Sequence, residues 1–327
     1  MNDNLLPPRR READAPGYRT LLTQRMAARL ATLAPEEGYN LTALPDVRFL
    51  RSNRPLKVTP VLYDPGIVIV CQGRKRGYFG DQVYVYDNQH YLAVSVPVPF
   101  AMETDASAEA PLLAIYMHLD FELAAGLMLE LARHGSIDDT PPSGMMSTPM
   151  DCAMAESVLR FIEAMSDPLQ ASVLGRSLVR EIYFHVLAGS QGGAMRAALS
   201  MQGRFGKIAR AIRRIHESYA DGLAVEELAK EAGMSVPSFH AHFRRVTKTS
   251  PIQYLKSIRL HQARLLMVRN GMTAAAASYD VGYSSPTQFS REFKRLFGSS
   301  PLDEVRRMKA EFAVPPAHAN AVFVSSH

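Results

Sequence analysis

With 327 residues, 47% of them hydrophobic and 21% charged, the chain has globular composition and length enough for two domains. That balance excludes a disordered polymer, a fibrous repeat and a disulfide scaffold. The net charge of +5 is unevenly spread: residues 204–310 hold 19 Lys and Arg against 9 Asp and Glu, and the rest holds 18 against 23. A basic segment joined to an acidic one suits a nucleic-acid-binding module attached to another domain.

The expected order along the chain is as follows. Residues 1–17, with Pro7, Pro8, Pro16 and Arg9–Arg11, contain little to bury and are expected to be disordered, not a secretory signal. Tyr18–Ala34 carries apolar residues at helical spacing and stops at Pro35. From Val47 to Met117 short β-branched or aromatic runs (Val58–Tyr63, Ile67–Val70, Gln82–Tyr86, Tyr91–Val96, Leu112–Met117) alternate with Gly, Pro, Asp and Asn, which predicts an antiparallel sandwich or small barrel. Phe121–His134, Asp151–Met165 and Leu174–Leu187 read as amphipathic helices. In the second of these, Val158, Leu159, Ile162 and Met165 form a stripe suited either to a homodimer or to packing on the chain's own barrel. Small residues over Ser190–Gly206 predict a linker, placed at 196–206, and everything from there to Lys309 reads helical before a tail, 311–327, expected to be disordered. The fold class is thus α+β with two domains, 18–195 and 207–310. No apolar run reaches the roughly 18 residues of a membrane span. Two cysteines without metal-ligand spacing point to a reducing cytoplasm.

The strongest pattern is an internal repeat in the basic half. Phe239, Phe243, Arg244, Arg245, Ser250 and Pro251 recur as Phe289, Phe293, Lys294, Arg295, Ser300 and Pro301 at an offset of 50, while Gly233 and Gly282 are offset by 49. Each copy reads as a short helix, a Gly turn one residue longer in the second copy, and a helix opened by Ser and Pro: a helix-turn-helix unit. At 100° per residue, Phe239, Phe243 and Val246 share one face of the first such helix, and Phe289, Phe293 and Leu296 the same face of the second. The opposite face presents Pro237, Ala241, Arg244 and Arg245, flanked by Ser238 and His240, in the first. In the second it presents Thr287, Arg291, Lys294 and Arg295, flanked by Gln288 and Ser290. Arg and Gln match purine edges in the major groove, and Lys and Arg neutralise phosphates. The helical stretch Pro251–Val268 between the units is about 27 Å long, a strut able to place two helices in successive major grooves about 34 Å apart.

FSREFKRLFGSSP, with Val281-Gly282-Tyr283 before it and Arg259–Met267 upstream, resembles the AraC/XylS family of bacterial transcription regulators across Lys207–Lys309. The resemblance implies that Phe289, Phe293 and Gly298 are structural. It implies that His240, Ala241, Thr287, Gln288 and Arg291 meet bases, and that Lys294 and Arg295 meet phosphates. Pro237 and Ala241 depart from the family by offering no strong hydrogen-bonding side chain, which would leave polar readout to His240 and the second helix. The segment VCQGRKRGYFGDQVYVYDNQHYLAVSVPVPF is similar to AraC-type N-terminal domains and implies a cupin-like barrel followed by helices. The expected partners are duplex DNA and a small-molecule effector, with RNA polymerase and a second copy of the chain as further candidates, and no membrane.

The competing reading is a cupin-type metal enzyme, since such barrels hold iron through clustered His and Glu. His90 and His118 are the barrel's histidines, with no His-x-His pair and no neighbouring Glu, and neither a Gly-rich phosphate loop nor a G-x-S-x-G elbow is present, so no enzyme, metal site or cofactor is expected. Cys71 follows an apolar strand beside Arg74, Lys75 and Arg76. It is the one effector-sensing candidate, as a reactive thiol whose pKa the cations would lower if they are not a solvated hairpin tip.

Overall fold

The computed structural model describes residues 16–134, 140–200 and 203–311. The expected disordered ends lie outside these residues, except that Pro16 and Gly17 open the first helix and Glu311 closes the last. Helix α1 (Pro16–Leu33) precedes nine strands: β1 (Gly38–Leu41), β2 (Val47–Ser52), β3 (Leu56–Tyr63), β4 (Gly66–Gln72), β5 (Arg74–Phe79), β6 (Gln82–Asp87), β7 (His90–Val94), β8 (Val98–Asp105) and β9 (Leu112–His118). Helix α2 (Phe121–Arg133), strand β10 (Met145–Pro149) and helices α3 (Cys152–Met165), α4 (Pro168–Ala188) and α5 (Gly192–Leu199) complete the N-terminal half. All pairings are antiparallel, in the order β1-β2-β9-β4-β7-β6-β5-β8-β3, with β10 added beside β7. This is the curled, barrel-like sheet expected of the fold.

Alternation along the strands gives the sheet two apolar faces. Ile67 and Ile69 of β4, Ala93 of β7, and Leu113 and Ile115 of β9 point onto Met26 of α1, Val158, Phe161 and Ile162 of α3, and Ile182 of α4. The α3 stripe therefore packs on its own domain: Val158 and Ile162 are fully buried and Leu159 is 5% exposed, which removes them from a dimer surface. The helices start where their sequences allow. Asp120, Asp151 and Asp167 accept backbone N–H bonds at the openings of α2, α3 and α4.

Residues 74–76 are not a hairpin tip. They begin β5, whose turn into β6 falls at Gly80 and Asp81. Alternation sends Arg76 outward to Glu103 and Asp105, both at 2.7 Å, and turns Lys75 inward, where it is fully buried and donates to the Tyr63 hydroxyl at 3.1 Å. The stretch read as a linker is largely helical. Gly192, Gly193, Ala194 and Ala198 are small enough to bury α5 closely against its neighbours, and 203–218 forms the next helix.

The C-terminal half is all helix: α6 (Gly203–Ser218), α7 (Val225–Glu231), α8 (Val236–Thr247), α9 (Pro251–Asn270), α10 (Ala274–Asp280), α11 (Pro286–Phe297) and α12 (Pro301–Glu311). Phe205, Ile212, Phe239, Phe243 and Tyr254 share one core with the sheet's other face, including Val68, Val94, Leu112 and Ala114. The second unit has its own core around Leu260, Met267, Val281, Phe289 and Phe293.

Candidate nucleic-acid interface

Two helix pairs, α7–α8 and α10–α11, repeat the same geometry. α7 and α10 each have seven residues, α8 and α11 each have twelve, and the intervening turns hold Gly233 (φ +59°) and Gly282 (φ +85°). Gly282 is required twice over. Its φ lies in the left-handed region, and a Cβ there would sit 2.3 Å from the Ala220 carbonyl oxygen. Arg259 of α9 secures the same junction, its guanidinium donating to the carbonyls of Tyr219 (2.6 Å), Asp221 (2.8 Å) and Gly282 (3.1 Å). The two units are thus held in a fixed relation through the turn of the second.

The buried faces of α8 and α11 are those expected: Phe239, Phe243, Phe289 and Phe293 are all fully buried, each contributing about 2–3 kcal/mol of apolar burial. Leu296 is only partly buried, and Phe297 closes the seam instead. On the opposite faces Ala241, Arg244, Arg245, Thr287, Gln288, Arg291, Lys294 and Arg295 are exposed, with Ser238, His240 and Ser290 half-buried beside them. Arg244, Arg245, Arg291, Lys294 and Arg295 have no carboxylate partner among the described residues, so their charge faces outward. Ser285 caps α11 by accepting from the Gln288 backbone N–H, and Gly298 (φ +78°) ends it; Lys248 takes the corresponding left-handed position after α8 and packs against Gly80 of the β5–β6 turn.

The strut between the units is α9, 20 residues and about 30 Å long. It is buried on several sides rather than one. Tyr254, Leu255 and Ile258 enter the core shared with the sheet, Leu260 and Met267 enter that of the second unit, and Ile252 is 41% exposed. Sandwiching between two units and a sheet leaves the apolar residues of α9 with no simple helical period. The Tyr254 hydroxyl donates to the Pro97 carbonyl at 2.8 Å, so the His216 Nε2 at 2.9 Å must be its proton donor, which places a ring proton on Nε2; burial lowers the His216 pKa to about 4 and keeps the ring neutral near pH 7.

A polar cluster at α11 escaped the sequence reading. Glu292, 12% exposed, accepts from Lys256 Nζ of α9 at 2.6 Å, from the Tyr283 hydroxyl at 2.8 Å and from Gln288 Nε2 at 3.3 Å. Burial pushes the Glu292 carboxyl pKa up, but these three donors outweigh it and hold the group below its usual value, hence ionised. The i,i+4 spacing of Gln288 and Glu292 was the available signal; the partners from α9 and the turn were not visible without the fold.

In the N-terminal half, His90 bonds Asp87 (3.0 Å), while His118 lies in a separate pocket, and no three potential metal ligands gather among the described residues. That pocket, about 290 Å³, lies between the sheet and helices α2 and α4, with Val47, Met117 and Leu123 as apolar wall and His118, Arg176 and Tyr183 as polar lining. Cys71 is 2% exposed among apolar side chains, and burial raises its thiol pKa. Arg74 pairs with Asp87, Arg76 with Glu103 and Asp105, and Lys75 turns inward to Tyr63, so the cations expected to activate Cys71 do not do so and the structure contradicts a reactive thiol.

This geometry defines a double helix-turn-helix DNA-binding protein with an appended sheet domain. Residues 43–194 match the family model described as AraC-type transcriptional regulator N-terminus, and residues 228–307 match a helix-turn-helix domain model. The chain belongs to the AraC family of DNA-binding transcription regulators. The virulence regulon transcriptional activator VirF of Yersinia enterocolitica is 23% identical over 242 residues, which cover 72% of this chain and 87% of that protein. The Msm operon regulatory protein of Streptococcus mutans is 32% identical over 87 residues, 27% of this chain, so the chain spans only 31% of that relative's length. Among solved structures, ToxT from Vibrio cholerae shares the fold, with a TM-score of 0.56 at 11% identity over 80% of this chain and 97% of that one; a form of ToxT bound to an unsaturated fatty acid gives 0.52 at 12% identity, over 80% and 93%. No helix among the described residues is long and apolar enough to cross a membrane.

Proposed function

We propose that the chain regulates transcription by reading two successive major grooves with α8 and α11, and that a small molecule held by the N-terminal domain modulates this binding. The observation that carries the first part is the pair of matched helices, each buried through two Phe and each turning an exposed polar face outward, joined by a strut of about 30 Å. Ser238, His240, Ala241, Arg244 and Arg245 form the first face, and Thr287, Gln288, Ser290, Arg291, Lys294 and Arg295 the second. The second part is supported by the pocket beside His118 and Arg176 and by the fatty acid bound to ToxT, a protein of the same fold.

Arg291 lies midway along α11, on its exposed face opposite Phe289 and Phe293, and Lys294 and Arg295 lie a turn later, where the helix climbs toward the backbone. Arg291→Ala is expected to cost roughly 1–3 kcal/mol on the cognate site and to relax preference at one base position. Lys294→Ala is expected to weaken all sequences alike and to flatten the slope of log K against log salt by about one unit. Both are measured with the full chain on a randomised duplex library. An even loss for Arg291→Ala with a changed base preference for Lys294→Ala reverses the roles.

A further inference from the structure

We infer that Glu292 is a positioning residue that fixes the side-chain amide of Gln288 so that α11 selects adenine at one position of its site. This rests on the proposed placement of Gln288 at a base edge. A free glutamine is a poor discriminator, because its amide can flip to present two donors, two acceptor lone pairs or one of each. Glu292 removes that freedom. Its carboxylate is ionised and carries no proton, so the amide atom 3.3 Å from its Oε1 has to be the NH2 of Gln288. The Glu292 carboxylate is itself held from two other elements, by Lys256 of α9 and by Tyr283 of the turn. Three donors and 12% exposure also keep Glu292 from reaching a base itself.

With one of its two N–H groups committed to Glu292, exposed Gln288 has one N–H and the Oε1 acceptor left to offer the groove. Adenine presents an N7 acceptor beside an N6 donor, which matches that pair with two hydrogen bonds. Guanine presents two acceptors, N7 and O6, and sets one of them against the Gln288 oxygen. Cytosine offers a single donor and thymine a single acceptor, so each makes at most one bond. Lys256 serves the arrangement in a second way, because its ammonium cancels the Glu292 charge that would otherwise repel phosphates next to the groove.

The test is selection of a randomised duplex library by the full chain, comparing wild type with Glu292→Gln, Glu292→Asp and Gln288→Ala. Wild type is expected to select adenine at one position, and Gln288→Ala to lose that selection. Glu292→Gln, whose amide can donate to the Gln288 oxygen instead, is expected to lower the preference for adenine over guanine there by about tenfold. Glu292→Asp keeps the charge but draws the carboxylate back by one methylene, and is expected to lose selectivity similarly. Should the Gln variant fail to fold, the Asp variant carries the comparison. If the Glu292 variants keep the adenine preference intact and merely bind every sequence more tightly, Glu292 only neutralises Lys256 and the inference falls while the base-reading assignment stands. If Gln288→Ala changes no base preference, both fall together.

Discussion

Glu304 and Asp303 are neighbours on α12, yet their removal should differ severalfold in effect. The Glu304 side chain is completely buried, and its carboxylate accepts from Arg264 Nη1 (3.2 Å), Arg307 Nε (3.0 Å) and Nη2 (2.9 Å), and the Ser299 hydroxyl (3.0 Å). Arg264 is itself fully buried, with its guanidinium 4.3 Å over the Phe297 ring, and burial lowers its pKa to about 10 even with Glu304 beside it. Glu304→Ala takes the carboxylate away from a buried guanidinium, a change that costs about 3–5 kcal/mol. Asp303, by contrast, is more than 60% exposed, meets a similarly exposed Arg306 at 3.6 Å and accepts from the Ser300 hydroxyl at 2.5 Å at the opening of α12, so Asp303→Ala should cost about 1 kcal/mol. Urea unfolding of the full chain followed by circular dichroism measures both. The second unit has its own core, so the loss should appear first in its transition, with DNA affinity falling in parallel. If Glu304→Ala lies within about 1 kcal/mol of Asp303→Ala, the buried network does not hold α12 in the way described.

The depressed pKa of His216 makes stability depend on pH. The unfolded imidazole titrates near 6.5 and the folded one near 4, so the unfolded state binds the extra proton, and the stability present above pH 6.5 is lost as pH falls toward 4, by about 2 kcal/mol at pH 5. His216→Gln should flatten that part of the curve when urea midpoints are compared between pH 7.5 and 5, and parallel curves would show that His216 is not the group responsible. For the thiols, a colorimetric disulfide reagent should titrate at most the half-buried Cys152 in the native chain and both cysteines after denaturation. Rapid native modification of Cys71 would restore the sensor reading.

The helix-turn-helix repeat was legible in the sequence because its information is local and doubled. Two Phe at i and i+4, a turn glycine and a Ser-Pro start recur at nearly constant offset, and each recurrence excludes coincidence. Strands β3, β4, β6, β7 and β9 were legible because their β-branched and aromatic runs are bounded by turn residues. Strand β5 was not. Its Arg-Lys-Arg start reads as solvated, and only the pairing of Arg76 with Glu103 and Asp105 across β8 shows that the outer face is an ion-paired ladder and that Lys75 must point inward. Strand β8 hid behind two prolines, Pro97 just before it and Pro99 within it, while β10 consists mainly of methionines and small residues without strand preference. Helix α5 was hidden by the small residues that allow it to pack closely. The Glu292 cluster shows the same limit at the site: Gln288 was visible as a reading residue with Glu292 one helical turn on, but the Lys256 that holds Glu292 comes from another helix, 36 residues away in sequence.

The two units differ in what holds them, and the difference runs alongside the chemistry of their exposed faces. The first unit is continuous with the sheet domain. Phe243 and Tyr254 lie in the core that contains Val94 and Leu112, Tyr254 bonds Pro97, and Lys248 rests on Gly80. It cannot shift against the sheet without exposing that surface, which makes it the element through which any change in the N-terminal domain would be felt. Its exposed face is also the poorer in hydrogen-bonding groups, with Pro237 and Ala241 where the second helix has Thr287 and Arg291. The second unit has a separate core, a buried Arg264–Glu304 lock and an oriented Gln288. On the proposed reading, coupling to the N-terminal domain thus falls to the first copy, and the larger share of polar base readout to the second. On that reading Arg259, donating to the carbonyls of Tyr219, Asp221 and Gly282 at once, would tie the position of the second copy to that of the first.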